Sequence, residues 1–356
     1  MSNTPSSTLH PPYANLNVLF CHPRTSSHLL AKILNLPAQP HIHQHASDGY
    51  FFLRPTGLRF QKGLAGKNVA SWTEEEKEAM KEAFQKSYED LEKFVQEAKY
   101  EGKGIYVKEH VLWTVEPVSE SMFLYGPGCT TREPWYAITI RTSANILEKE
   151  MESRKSEGNE TCLPDSFLRK LKPTFLIRHP ALAFPSNLRT AIDNEGIETV
   201  KRAHGIHTWE MTYHWLRALY TWYDSHLPPE QRTTNIPEIT FPILLDADDI
   251  TNPSHIRRYT EAIGLDPSLL RYEWEAASEH ELDGIGSMEK RMKETILKST
   301  GIVKGKTSAD LVIGDEKRKW REEFGDDLGQ RLEGWVDGAL EDWEWLRGRA
   351  LRIYGS

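Results

Sequence analysis

The chain has 356 residues, 44 of them Lys or Arg and 52 Asp or Glu, for a formal charge of −8. Hydrophobic residues at 38% and charged residues at 27% fit a folded chain with a sizeable core and exclude a disordered one. The acidic balance excludes a general nucleic-acid or membrane-surface binder, so an anionic ligand must be held by a few local cations, and no run approaches the ~20 apolar residues of a membrane helix.

Residues 1–14 are polar, carry no signal-like apolar region and read as a disordered lead-in; 15–356 reads as one α/β domain. An apolar run at 15–21 predicts a buried strand. The polar turn His22-Pro23-Arg24-Thr25-Ser26-Ser27 follows, then Leu29, Leu30, Ile33 and Leu34 at helical spacing, stopping before Pro37. Residues 38–71 read as loop. Thr73 with Glu76 forms a capping box ahead of a stripe of Met80, Phe84, Tyr88, Leu91, Val95 and Ala98. Gly104–His110 predicts a second strand, 111–135 irregular chain, and 143–158 a charged helix with a surface loop.

A third short strand is expected at 174–177, running into Arg178-His179-Pro180 and a helix to about residue 193. The segment 208–227 reads as one helix, apolar on two faces and so buried between layers. A fourth strand at 241–245 precedes Asp246-Ala247-Asp248-Asp249. Helices follow near 253–263, 288–299 and 328–346, with a Gly/Lys loop at 301–309. Short strands alternating with helices predict an α/β fold with a central, mostly parallel sheet. Most of the eight tryptophans after residue 200 read as core. Three widely spaced cysteines, Cys21, Cys129 and Cys162, offer no disulfide framework and no paired metal site, which points to a reducing, cytoplasmic setting.

Three strand ends carry chemistry. A strand entering a helix through a tight polar turn presents free amides and a positive helix end, which suits phosphate; Arg24, Thr25, Ser26 and Ser27 add donors. Arg178 stands at the carboxyl end of the third strand, where ligands bind in open α/β sheets, with Ser186 eight residues on. Alternation along the second strand puts Lys108 and His110 on one face and Glu109 on the other, pairing a cation with a base. Gly301 to Thr307 is one residue short of a Walker A spacing and lacks a preceding strand, so it reads as a basic loop placed to cover an anion. His41, His43 and His45 alternate as a metal site requires, but apart from Asp48 no cysteine or acidic cluster stands nearby to complete one, and loop histidines are the simpler reading.

Together these elements resemble the sulfotransferases that use 3′-phosphoadenosine 5′-phosphosulfate (PAPS), and look closest to the sulfotransferase-like proteins of fungi. Pro23 to Leu30 is similar to the family's 5′-phosphosulfate loop, P-R-[ST]-G-[ST]-x-L-L. Arg178-His179-Pro180 with Ser186 matches the 3′-phosphate motif R-x-P-x5-S. Lys108-Glu109-His110 resembles the K-T-H element whose histidine is the base, and Asp246–Asp249 a structural Y-E-D-L segment. Gly301–Thr307 with Trp320 and Phe324 resembles the loop that covers the nucleotide.

The resemblance implies a P-loop-like sulfotransferase fold and transfer of a sulfuryl group from PAPS to a small hydroxylated acceptor, with no metal and no nucleic-acid or membrane partner. Arg24, Thr25, Ser26, Ser27 and His28 would hold the phosphosulfate, and Arg178 and Ser186 the 3′-phosphate. Lys304 and Lys306 would cover the nucleotide. Lys108 and Arg24 would stabilise the leaving group, and His110 would take the acceptor's proton, with Glu109 and Asp48 as the competing bases. The segment with His45 and Asp48 would border the acceptor. Ser26 stands where the family usually has Gly, and Arg24 where the cytosolic enzymes have Lys. These departures keep two other readings open: an enzyme of this fold that no longer uses PAPS, and a non-catalytic nucleotide-binding protein. Oligomeric state is left open.

Overall fold

The computed structural model describes residues 15–130, 133–137, 155–303 and 305–352. The expected lead-in at 1–14, most of the charged segment at 143–158, and Lys304 lie outside these.

Five strands form one sheet in the order β2-β3-β1-β4-β5, every pair parallel. They are β1 (Leu16–Cys21), β2 (Ile42–His43), β3 (Gly104–His110), β4 (Lys172–Ile177) and β5 (Ile243–Asp246). β1 is buried along its whole length because it is central and covered on both faces. On one face Phe20 and Phe175 pack against Tyr223, which lies in the helix His214–His226. On the other, Tyr106 and Thr174 meet the hydroxyl of Tyr259, in the helix Pro253–Ala262. From β1 the chain crosses past β3 to β2 on one side, and from β3 it crosses back past β1 to β4 on the other, so the sheet's switch point lies at the carboxyl end of β1. Crevices that take ligands open there.

The helix α1 (Ser27–Leu34) follows β1 directly. The helix α2 (Leu53–Gln61) lies where the sequence reads as loop. Pro55 and Gly57 signal a break there, yet Pro55 sits in the first turn, where its missing N–H costs nothing. The expected capping box is fully formed: Thr73 Oγ1 accepts from the Glu76 amide (3.2 Å) and Glu76 Oε2 from the Thr73 amide (2.8 Å). It starts α3 (Glu74–Tyr100), whose entire predicted stripe is buried. Two more helices, α4 (Val111–Thr114) and α5 (Pro117–Tyr125), occupy the region expected to be irregular, the latter capped by the Glu116 carboxylate.

α6 (Pro180–Glu195) follows β4. The single helix expected at 208–227 is two, His204–Glu210 and α7 (His214–His226). The chain breaks at Met211–Tyr213, letting Trp209, Tyr213 and Trp215 all be buried although they could not share one helical face. α8 (Pro253–Ala262), α9 (Ser287–Lys298), α10 (Ile313–Phe324) and α11 (Asp326–Arg347) complete the path. Six of the eight late tryptophans are buried; Trp335 and Trp345 are half-buried. Asn159-Glu160-Thr161 has the pattern of a glycosylation triplet but is closed off, because the Asn159 amide is buried and donates to the Leu163 carbonyl and the Asp165 carboxylate.

Candidate functional site

The turn after β1 uses backbone conformations that L-residues seldom adopt. Arg24 and Ser26 have φ of 65° and 68°, each left-handed and costing roughly 1–2 kcal/mol. Local bonds hold them there. Thr25 Oγ1 donates to the His22 carbonyl (2.7 Å), and the two His22 ring nitrogens face the carbonyls of Pro23 (2.7 Å) and Glu210 (2.6 Å). Ser26 is the left-handed N-cap of α1 and makes no side-chain cap bond. It takes the shape that glycine takes freely, so a serine here changes the residue type and keeps the backbone path. The first bond along α1 runs from the Leu30 amide to the Ser26 carbonyl (3.1 Å). The amides of Ser27, His28 and Leu29 precede it, have no acceptor inside the helix, and form its positive end.

Arg178 begins the turn after β4, and the structure joins it to Arg24. Arg178 Nη1 donates to the Arg24 carbonyl (3.1 Å) and Nη2 to the Lys306 carbonyl (3.2 Å). Its own backbone is clasped by Tyr213, whose hydroxyl accepts from the Arg178 amide (3.2 Å) and donates to its carbonyl. Arg24 Nε donates to Ser186 Oγ (3.0 Å) and Nη1 to the Met292 carbonyl in α9 (2.8 Å). Lys306 Nζ donates to Thr295 Oγ1 (3.1 Å). Arg24, Arg178, Ser186 and Lys306 thus form one cluster drawn from four segments. Burial lowers the pKa of all three cations, and the neighbouring Arg291 and Arg178 lower Arg24 further, as Arg178 and Arg24 do Lys306. Arg24 and Arg178 are half-buried and Lys306 is more exposed; cations that repel one another in this way are stabilised by an anion placed between them.

The loop carrying Lys306 is fastened to the sheet. Both Asp248 carboxylate oxygens accept from the Ser308 amide (3.1 and 3.0 Å), and the Ser308 hydroxyl donates to the same carboxylate. This gives the acidic segment after β5 a structural task. Lys304 lies outside the described residues.

At the end of β3 the alternation holds: Lys108 and His110 both meet the ring of Tyr50, while Glu109 Oε2 on the other face accepts from the Phe52 amide (3.4 Å). Lys108 Nζ lies 3.1 Å from His28 Nδ1 and 3.3 Å from Asp48 Oδ2, with the Tyr50 ring 5.2 Å away. Burial, more than any neighbour, lowers the Lys108 pKa, and Asp48 opposes that shift. His110 is buried, its ring packed on Tyr50 and Trp113, with Nδ1 3.2 Å from Cys21 Sγ. Burial first, then the charges of His22 and Lys108, hold its pKa well below the usual value, so the ring is neutral and keeps one free lone pair. The carboxyl of Glu109 is pushed up to about 8 by burial.

Asp48 reaches this group through a strap of chain. The Lys108 amide donates to the Asp48 carbonyl (2.7 Å) and the Lys108 carbonyl accepts from the Tyr50 amide (2.8 Å). Gly49, between them at φ 124°, passes so close that a Cβ would lie 2.2 Å from the Lys108 oxygen. His45 is turned inward instead: its Nδ1 accepts from the amides of Ser47 (3.2 Å) and Gly49 (3.1 Å), and its ring packs on Phe51 and Phe94. His43 pairs with Glu101. Among the described residues no group of three or more His, Cys, Asp or Glu is arranged to hold a metal ion.

Sequence reasoning missed Tyr50, which also bonds Ser27 through its hydroxyl (3.2 Å). It lies in an aperiodic segment and shows its role only once the strap is in place. Tyr213 carried a signal, its helical spacing, that assigned it to the core alone. The hydroxyl of Thr25 is spent on the loop itself, which leaves its backbone to face a ligand.

No family model and no solved structure matches the chain. Two curated fungal proteins do. The chain is 37% identical over 350 residues to the sulfotransferase ppzF of Metarhizium rileyi (strain RCEF 4871), covering 96% of this chain and 98% of that one. It is 36% identical over 345 residues to the sulfotransferase ppzF of Metarhizium majus (strain ARSEF 297), covering 94% and 96%. Likeness of that extent, over nearly the whole length of both chains, means that the chain belongs to the sulfotransferase family.

Proposed function

We propose that this sulfotransferase moves a sulfuryl group from PAPS to a hydroxyl of a small-molecule acceptor. The observation that carries the reading is the Arg24–Arg178 cluster. It unites the positive end of α1 with a guanidinium from the adjacent strand, which suits a ligand with anionic groups at both ends of one nucleoside.

The donor supplies an activated sulfuryl group when bound. The amides at the start of α1, with Arg24, hold its 5′ end; Arg178 and Ser186 hold the 3′-phosphate, and Lys306 lies over it. Sulfuryl transfer resembles loose phosphoryl transfer, in which positioning and charge stabilisation carry most of the rate. Lys108, fixed between His28, Asp48 and Tyr50, faces the charge that builds on the departing oxygen. Neutral His110 accepts the acceptor's proton. Asp48 and Tyr50 stand on the acceptor side.

Calorimetry with 3′-phosphoadenosine 5′-phosphate (PAP), AMP and ATP tests the reading. PAP is expected to bind at micromolar levels and to raise the melting temperature by mass action, with AMP and ATP far weaker. Equal affinity for AMP and PAP overturns the 3′-phosphate site. Absence of binding by all three favours an enzyme of this fold that has left PAPS behind.

A further inference from the structure

Cys21 is the last residue of β1 and stands opposite His110 in the parallel register, so both side chains leave the sheet on the same face. It is completely buried, and burial pushes its thiol up to about 12, so the sulfur keeps its hydrogen. That hydrogen has an acceptor: Sγ donates to the Glu109 carbonyl at 3.7 Å. With the S–H directed there, the sulfur's lone pairs face His110 Nδ1 at 3.2 Å. Two hydroxyls, Ser27 and Thr25, approach the same sulfur, but Thr25 gives its hydrogen to the His22 carbonyl and Ser27 shares its own with Tyr50. The imidazole also faces the Cys21 carbonyl, which can only accept.

A neutral imidazole carries one ring hydrogen, and the partner of one nitrogen decides what the other can do. We infer that Cys21 is a positioning residue: its thiol accepts from His110 Nδ1–H, fixes that tautomer, and leaves the Nε2 lone pair for a substrate proton. The order is His110 Nδ1–H to Cys21 sulfur, and Cys21 S–H to the Glu109 carbonyl. No bond is broken and the thiol is never a nucleophile. The opposite arrangement, S–H donating to Nδ1, would place the ring hydrogen on Nε2 and remove the lone pair a base requires. The inference rests on reading His110 as the proton acceptor, and the test separates the two.

The test is nitrogen NMR of the full chain with labelled histidine, in wild type, Cys21→Ala, Cys21→Val and Cys21→Ser, the His110 signal being assigned by its loss in His110→Gln. Alongside it, sulfuryl transfer from PAPS to 2-naphthol as a probe acceptor is followed in each variant. Wild type and Cys21→Ser are expected to show hydrogen on Nδ1, because a hydroxyl can both donate and accept. Cys21→Ala and Cys21→Val are expected to show a mixed or Nε2–H ring, with turnover lower by roughly tenfold or more out of the ~10²–10⁴ that a general base contributes and PAP affinity unchanged. Using both apolar variants keeps a packing defect in one from being mistaken for the effect. Hydrogen on Nε2 in wild type overturns the inference. So does an unchanged Nδ1–H in both apolar variants, which gives the task to the Cys21 carbonyl. A tautomer shift without loss of turnover, with His110→Ala equally active, upholds the role of Cys21 and overturns the base.

Discussion

The turns that follow β1 and β4 both bring an arginine to the crevice, by opposite means. After β1 the backbone itself is shaped for a ligand, with two left-handed residues and a helix whose first amides are open. After β4 the helix end is closed. Pro180 has no amide to offer, and His179 Nδ1 takes the amide of Ala181 (3.1 Å). What that turn contributes is one side chain, Arg178, with its backbone clasped by Tyr213. Recognition at the first turn should therefore survive side-chain changes that keep its φ angles, and recognition at the second should fail with a single residue.

The end of β3 belongs to neither turn and serves as the reference. His110→Ala should slow sulfuryl transfer to 2-naphthol by ~10²–10⁴-fold, with PAP affinity by calorimetry unchanged. A parallel loss of PAP binding would place His110 in the anion site and blur the distinction. Next in size, Arg178→Ala should cost about 1.5–3 kcal/mol of PAP affinity, the worth of a charged hydrogen-bond partner, and leave AMP unaffected. Arg24→Ala should weaken PAP and AMP alike, by about 1.5 kcal/mol, because the amides of α1 remain. If it discriminates between the two ligands as Arg178→Ala does, the turns are not separate sites. The smallest effect is expected from Ser26→Gly. Relief of the left-handed strain, partly offset by a more flexible unfolded chain, should raise stability by ~0.5–1 kcal/mol, read as a higher melting temperature with PAP binding kept. A fall in stability would mean that the serine side chain, and not the turn's backbone, holds the loop.

The parts of this fold that are plain in the sequence are those whose signals are local. β1 is a short apolar run and β3 begins with one before Lys108, α3 announces itself by Thr73, Glu76 and a stripe at helical spacing, and the two arginines stand at strand ends where α/β sheets bind ligands. What stayed hidden depends on contacts distant in sequence. α2 looks broken because Pro55 and Gly57 are breakers unless one knows that the helix starts at Leu53. The interruption at Met211–Tyr213 is set by where three large rings find room, and Tyr213 acquires its second role only when Arg178 is brought beside it. His45 and Asp48 are three residues apart and read alike as acceptor-side groups. The strap on Lys108 sends only Asp48 to the site, while His45 closes its own turn.

That strap has a consequence for how the enzyme can diverge. Asp48 and Tyr50 are registered against the backbone of Lys108 as a one-residue extra strand, and Gly49 fits there with no room for a side chain. An insertion or deletion between His45 and Tyr50 would throw the lysine out of alignment with its own pocket. The geometry therefore predicts that exchanged side chains are tolerated in this segment far better than a change in its length.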